Sequence, residues 1–93
     1  MNRKALMADE ILKHKIQCAL KAGRFRDSED LVDVSDGADG NIHVVVVSRK
    51  FDGRRMKEKN DLIWDELEKH LSADEWGQIS LTVGASPEEV KAT

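Results

Sequence analysis

Four consecutive valines, Val44-Val45-Val46-Val47, stand between Ile42-His43 and Ser48. β-branched side chains crowd the preceding turn of a helix and fit a pleated sheet, so residues 42–48 are predicted to form a strand. An unbroken apolar run further predicts a central strand covered on both faces. Such a strand needs neighbours, and two segments qualify. Residues 30–35 carry Leu31, Val32 and Val34, and residues 78–83 alternate strictly as Ile79-Ser80-Leu81-Thr82-Val83. The first neighbour is joined by the turn-rich Asp36-Gly37-Ala38-Asp39-Gly40-Asn41 and should pair antiparallel. The second follows a helical crossover and should pair parallel. The expected sheet would bury residues 44–47 and a face made of Ile79, Leu81 and Val83.

Helical periods fill the remainder. Ala8, Leu12, Ile16, Ala19 and Leu20 predict an amphipathic helix over residues 7–22, stopped by Gly23, and residues 24–29 read as a loop that is polar apart from Phe25. Met56, Ile63, Leu67 and Leu71 mark a second helix over about 54–71, with Trp64 beside the stripe. Ser72-Ala73-Asp74-Glu75 and Ser86-Pro87-Glu88-Glu89 each place a capping serine three residues before an acid, which predicts two short helices. Five glycines, Gly84 among them, fall where a break is expected. The predicted order is α-β-β-α-(α)-β-α, an α+β fold with a three-stranded mixed sheet. At 93 residues, the chain 1–93 is read as a single domain.

Composition excludes several classes. No run of eighteen apolar residues predicts a membrane span, and the basic start Met1-Asn2-Arg3-Lys4 is not followed by the apolar core of a secretory signal. A single cysteine, Cys18, cannot close an intramolecular disulfide, so a reducing, cytoplasmic setting is expected. The net charge of −3 is unevenly spread: residues 27–39 hold six acids and no base, whereas residues 49–59 hold Arg49, Lys50, Arg54, Arg55, Lys57 and Lys59 against two acids. Such blocks pair with one another on solvated faces, or set up a local field where one stays unpaired.

The sequence carries no Gly-rich phosphate loop, HExxH, CxxC or nucleophile elbow, so no catalytic residue is assigned and the chain is read as a non-enzyme. His14 and Cys18 share one helical face at i and i+4, a spacing that can hold a soft metal ion. Two ligands are not a site, and a cysteine at the edge of an amphipathic helix reads as a small core residue, so no metal ligand is assigned. His70 near a helix end suits the helix dipole. The strand-to-helix turn Asp52-Gly53-Arg54-Arg55 is the best candidate for binding, because backbone N–H groups and two arginines can meet a phosphate there. Against nucleic acid stand the absence of tyrosine and the acidic total charge. Trp64 reads as core, and Trp76, just before Gly77, as a candidate partner contact.

Three stretches resemble the BolA family. Val44-Val45-Val46-Val47-Ser48-Arg49-Lys50-Phe51-Asp52-Gly53 is similar to that family's apolar strand ending in Val-Ser, two variable residues and Phe-x-Gly. Leu62-Ile63-Trp64 with Leu67 is similar to its Leu-Val-Tyr helix, and Ile79-Ser80-Leu81-Thr82 with Ser86-Pro87-Glu88-Glu89 to its last strand and Thr-Pro-Glu-Glu ending. The resemblance spans about residues 8–92 and implies a BolA-like fold, similar to a type II KH domain. It also implies a non-enzymatic adaptor that pairs with a monothiol glutaredoxin and shares a [2Fe-2S] cluster in iron–sulfur trafficking or iron homeostasis, as a monomer or weak homodimer. Some bacterial members are DNA-binding transcriptional regulators, a role for which Arg49, Lys50, Arg54, Arg55, Lys57 and Lys59 are the candidates here. The sequence departs from the family at its histidines. No histidine occurs from Leu71 to Thr93, the family's Arg-His-Arg is matched by Lys59-Asn60-Asp61, and the loop at 36–41 has neither His nor Cys.

Overall fold

The computed structural model describes residues 9–92; Met1-Asn2-Arg3-Lys4 and the Met7-Ala8 start of the first predicted helix lie outside the described residues. Helix α1 runs Glu10–Ala22. The Asp9 carboxylate caps it by accepting from the N–H groups of Ile11 and Leu12, at 2.9 and 3.2 Å. Leu12, Ile16, Ala19 and Leu20 form its buried stripe. Strand β1 (Leu31–Asp36) and strand β2 (Ile42–Val47) follow, then helix α2 (Met56–His70), helix α3 (Ala73–Trp76), strand β3 (Ile79–Ala85) and helix α4 (Pro87–Ala92). Both serine capping boxes form. The Ser72 N–H donates to Glu75 and the Ser86 N–H to Glu89, each at 2.8 Å, and each serine hydroxyl accepts from the N–H of the same glutamate.

The sheet order is β1-β2-β3, with β1 antiparallel and β3 parallel to β2. The α+β class and the three-stranded mixed sheet therefore hold. Helix α1 packs over β1, α2 over β3, and the two helices touch each other. Between helices and sheet lies one core: Leu12, Ile16, Leu20, Phe25, Val32, Ile42, Val44, Val46, Phe51, Ile63, Leu67, Leu71 and Ile79. Phe25 anchors the loop after α1 by packing its ring 5.5 Å from that of Phe51.

Several expectations are corrected. The valine run is not covered on both faces: Ile42, Val44 and Val46 are buried, whereas His43, Val45 and Val47 are only half-buried, because both long helices lie on one side. The Ile79/Leu81/Val83 face is split. Ile42 pairs with Ile79, but His43 pairs with Leu81, so Ser80 is an extra residue on β3. That bulge reverses the side-chain alternation, leaving Ile79 buried while Leu81 and Val83 turn outward, 46% and 38% exposed. Met56 is exposed, because as the first residue of α2 it overhangs the end of the core; Lys59 takes the inward position one turn later.

Gly84 is likewise not a break but part of β3. A Cβ there would lie 2.9 Å from the Lys59 Cβ and 3.1 Å from the Phe51 ring, so α2 and the turn before it approach the strand only because the side chain is missing. Gly84→Val is expected to lower stability by about 1–3 kcal/mol through overpacking. Urea denaturation checks this; an unchanged midpoint would mean that Phe51 and Lys59 move aside freely.

Candidate interaction surfaces

The six basic residues singled out in the sequence lie around one strand-to-helix turn, but most are already paired. Ser48 leads into a single 3-10 turn (Arg49–Phe51), Gly53 turns the chain at φ +71°, and Arg55 stands at the N-cap of α2. An arginine side chain has no acceptor, so only half of a capping box forms, with Glu58 accepting from the Arg55 N–H at 2.8 Å. Lys50 binds Asp27 and Asp30, each at 2.9 Å. Arg49 meets Glu29 at 3.2 Å, and Lys57 meets Asp61 at 3.0 Å. The buried Lys59 ammonium is clamped by both carboxylate oxygens of Glu89, at 2.6 and 2.7 Å, which holds that carboxyl below its ordinary range. Arg54 donates to the Lys50 carbonyl at 2.9 Å, and the Arg55 guanidinium has no partner among the described residues. The acidic block 27–30 thus neutralises one end of the basic block and α4 the other. Two arginines remain beside the start of α2, well short of the many phosphate contacts that strong electrostatic binding to nucleic acid requires.

The Val-Ser-x-x-Phe-x-Gly pattern serves this turn. The buried Ser48 hydroxyl donates to Asp30 at 2.7 Å and accepts from the Lys50 N–H at 3.1 Å. Phe51 fills the core, and Gly53 takes a backbone conformation that side chains strain. Burial acts to raise the pKa of Asp30. Hydrogen bonds from Lys50 and Ser48, the Lys50 charge and the Asp27 N–H outweigh it and hold the carboxyl below the usual carboxylate range. Lys50 is correspondingly raised by its hydrogen bonds to Asp30 and Asp27. Nothing in the sequence singled out Asp30; an acid at the start of a strand is too common a feature.

The surface that sequence reasoning missed is the sheet face turned away from the helices. Alternation and register place Leu31, Val45, Val47, Leu81, Val83 and Ala85 there, joined by Asp33, Ser35 and His43. Leu31 is 59% exposed. A six-residue apolar patch spanning three strands is more than the scattered apolar residues of an ordinary surface. One signal was available: two helices, each with a single apolar stripe, cannot cover both sides of a sheet. The Trp76 ring, by contrast, leans edge-on against Trp64 at 5.8 Å, and Trp64 donates to the Thr82 hydroxyl at 3.2 Å. Trp76 is thereby held at the α2–β3 side.

The positions at which the BolA resemblance would place cluster ligands do not fit an iron–sulfur group. Gln78, just before β3, Ile79 and Ser80 at its start, and the loop at 36–41 supply neither thiolate nor imidazole, which such clusters require. Among the described residues, no three of His, Cys, Asp and Glu gather where a metal ion could be held, and no helix is long and apolar enough to cross a membrane. Cys18 is exposed, not a core residue, because the buried stripe of α1 passes through Ile16, Ala19 and Leu20 instead. Comparison with protein-family models, with curated proteins and with solved structures finds no match, so what this chain shares with other proteins rests on the residues and the fold described above.

Proposed function

We propose that this chain is a non-enzymatic, BolA-like adaptor that docks a monothiol glutaredoxin, or a similar iron–sulfur assembly factor, through the open face of its sheet. The observation that carries the reading is that apolar face, with Leu31, Leu81 and Val83 exposed on strands whose opposite side is the core. Burying such a patch favours association by about 25 cal/mol per Å² of apolar area before ordering costs. Support also comes from the element order α-β-β-α-α-β-α and the parallel β2–β3 pair, which agree with the type II KH-like arrangement that the resemblance implies. The cluster stays on the glutaredoxin, because the residues at the family's ligand positions here do not coordinate iron. The nucleic-acid role is the weaker reading, since Lys50 and Lys59 are committed to Asp30 and Glu89.

Calorimetry with a [2Fe-2S]-loaded monothiol glutaredoxin tests the proposal. Binding is expected, Leu81→Lys on the open face should weaken it about tenfold or more by burying an unpaired charge, and the Arg54→Ala/Arg55→Ala double variant should leave it unchanged. An absence of any complex, or a complex indifferent to Leu81→Lys, would overturn the reading.

A further inference from the structure

Helix α1 carries an arrangement that the adaptor role does not use. His14 and Cys18 are both exposed, one turn apart, with the Cys18 sulfur 3.5 Å from the His14 Nε2. Zinc binds a cysteine sulfur at about 2.3 Å and a histidine nitrogen at about 2.0–2.1 Å, and a tetrahedral angle between those bonds separates the two donors by about 3.6 Å. The pair therefore already stands at the bite of one tetrahedral ion. The backbone that carries the pair is held in place: Asp9 caps the start of α1, the Gly23 N–H bonds the Ala19 carbonyl at its end, and Leu12, Ile16 and Leu20 seat the helix on the core. Two ligands one turn apart on a formed helix need no backbone ordering to bind.

Charge around the pair also permits a cation. Lys13 is held by Glu10 and Asp36, at 2.8 and 2.7 Å, and Lys15 by Glu75 at 2.8 Å. The ammonium groups of Lys13 and Lys15 are thus neutralised, and that of Lys21, one turn beyond Cys18, donates to the backbone carbonyls of Asp27 and Asp30. A shallow cleft between α1 and β1, lined by Glu10, Lys13, His14, Gln17 and Val34, leaves the imidazole open to solvent. Because α1 covers the inner side of the sheet, the pair is separate from the open face and from any partner docked there.

We infer that His14 Nε2 and Cys18 Sγ bind a thiophilic divalent cation of the Zn²⁺ type as a two-ligand clamp, with water completing the coordination. On binding, the sulfur–metal bond replaces the S–H bond and the thiol proton passes to solvent, while the imidazole coordinates in its neutral form.

Cobalt is the optical probe and zinc the competing ion. Added Co²⁺ should give a sulfur-to-metal charge-transfer band that Zn²⁺ abolishes, and affinity should fall as the pH is lowered, because protons compete for both donors. Cys18→Ser should remove the band. His14→Ala should weaken binding about tenfold or more, whereas His70→Gln, at the end of α2, should leave it unchanged. Zn²⁺ should also slow alkylation of Cys18 in the native chain and much less in His14→Ala. Both substitutions fall at exposed helical positions, and circular dichroism verifies folding. The inference is overturned by a missing band, by an affinity that follows His43 or His70 instead of His14, or by alkylation indifferent to Zn²⁺.

Discussion

Phe51→Ala should destabilise the chain by about 3–5 kcal/mol, the range for removing a fully buried phenylalanine. Two features place the loss at the upper end. The ring is wholly buried, and it touches both Phe25, at 5.5 Å between centroids, and the bare backbone of Gly84. Its removal opens a cavity at the junction of the 24–29 loop, the turn before α2, and β3. The surrounding backbone is pinned by Ser48, Gly53 and the parallel ladder, so little collapse can refill it. Against a typical total stability of about 5–15 kcal/mol, the loss is a large share. Urea denaturation should show a lower midpoint at unchanged slope. A midpoint within error of the native chain would mean that the core is loosely packed there. Because Phe51 and Gly84 are in contact, Phe51→Leu and Gly84→Ala should be non-additive, with the smaller ring substitute relieving the added methyl.

Asp30→Ala should cost about 2–3 kcal/mol, since it leaves the buried Ser48 hydroxyl without its acceptor and Lys50 without its buried partner. The pH dependence follows from the direction of the shift. The Asp30 carboxyl is held below its ordinary value of 3.8, so its contribution is fully present above that pH and is lost as the pH falls through the lower, folded-state value. Glu75 and Glu89 are depressed as well, first through their hydrogen bonds from Lys15 and Lys59, and they add in the same direction. Thermal denaturation across the acid range should therefore show stability falling below about pH 4. Asp30→Asn should start lower and fall less steeply. Equal slopes for the native chain and Asp30→Asn would remove this carboxylate from the account.

Local chemistry was legible from the chain alone wherever the deciding contacts lie within a turn or two. The helical stripe of α1, that of α2 apart from Met56, both serine capping boxes, the β-branched central strand and the order β1-β2-β3 followed from spacing and residue type. Gly23 and the Ser48-to-Gly53 pattern mark boundaries because each satisfies or redirects backbone within a few residues of itself, whereas apolar spacing starts the first helix at residue 7 and passes over the Asp9 cap. The candidate surfaces were less legible. The basic block was visible, but most of its neutralisation was not, because apart from the local Lys57–Asp61 pair the contacts that achieve it join residues far apart in the chain, as in Lys50 to Asp30 and Lys59 to Glu89.

What the sequence by itself determined is which segments form strands and helices and, at the two serine capping boxes, how the short helices start. Only the tertiary structure decided which side of each strand meets the helices. One extra residue, Ser80, switches the faces of β3 at the bulge, so Leu81 and Val83 look outward while Ile79 is buried, although the sequence alternates apolar and polar as if all three shared one face. The same holds for Cys18, whose position on the helix allowed core or solvent until α1 settled on β1 and left the thiol outside, facing His14. Periodicity is a property of neighbours along the chain. Burial and pairing depend on what the fold brings from elsewhere, and in this protein that long-range placement created both the open apolar face and the exposed His–Cys pair.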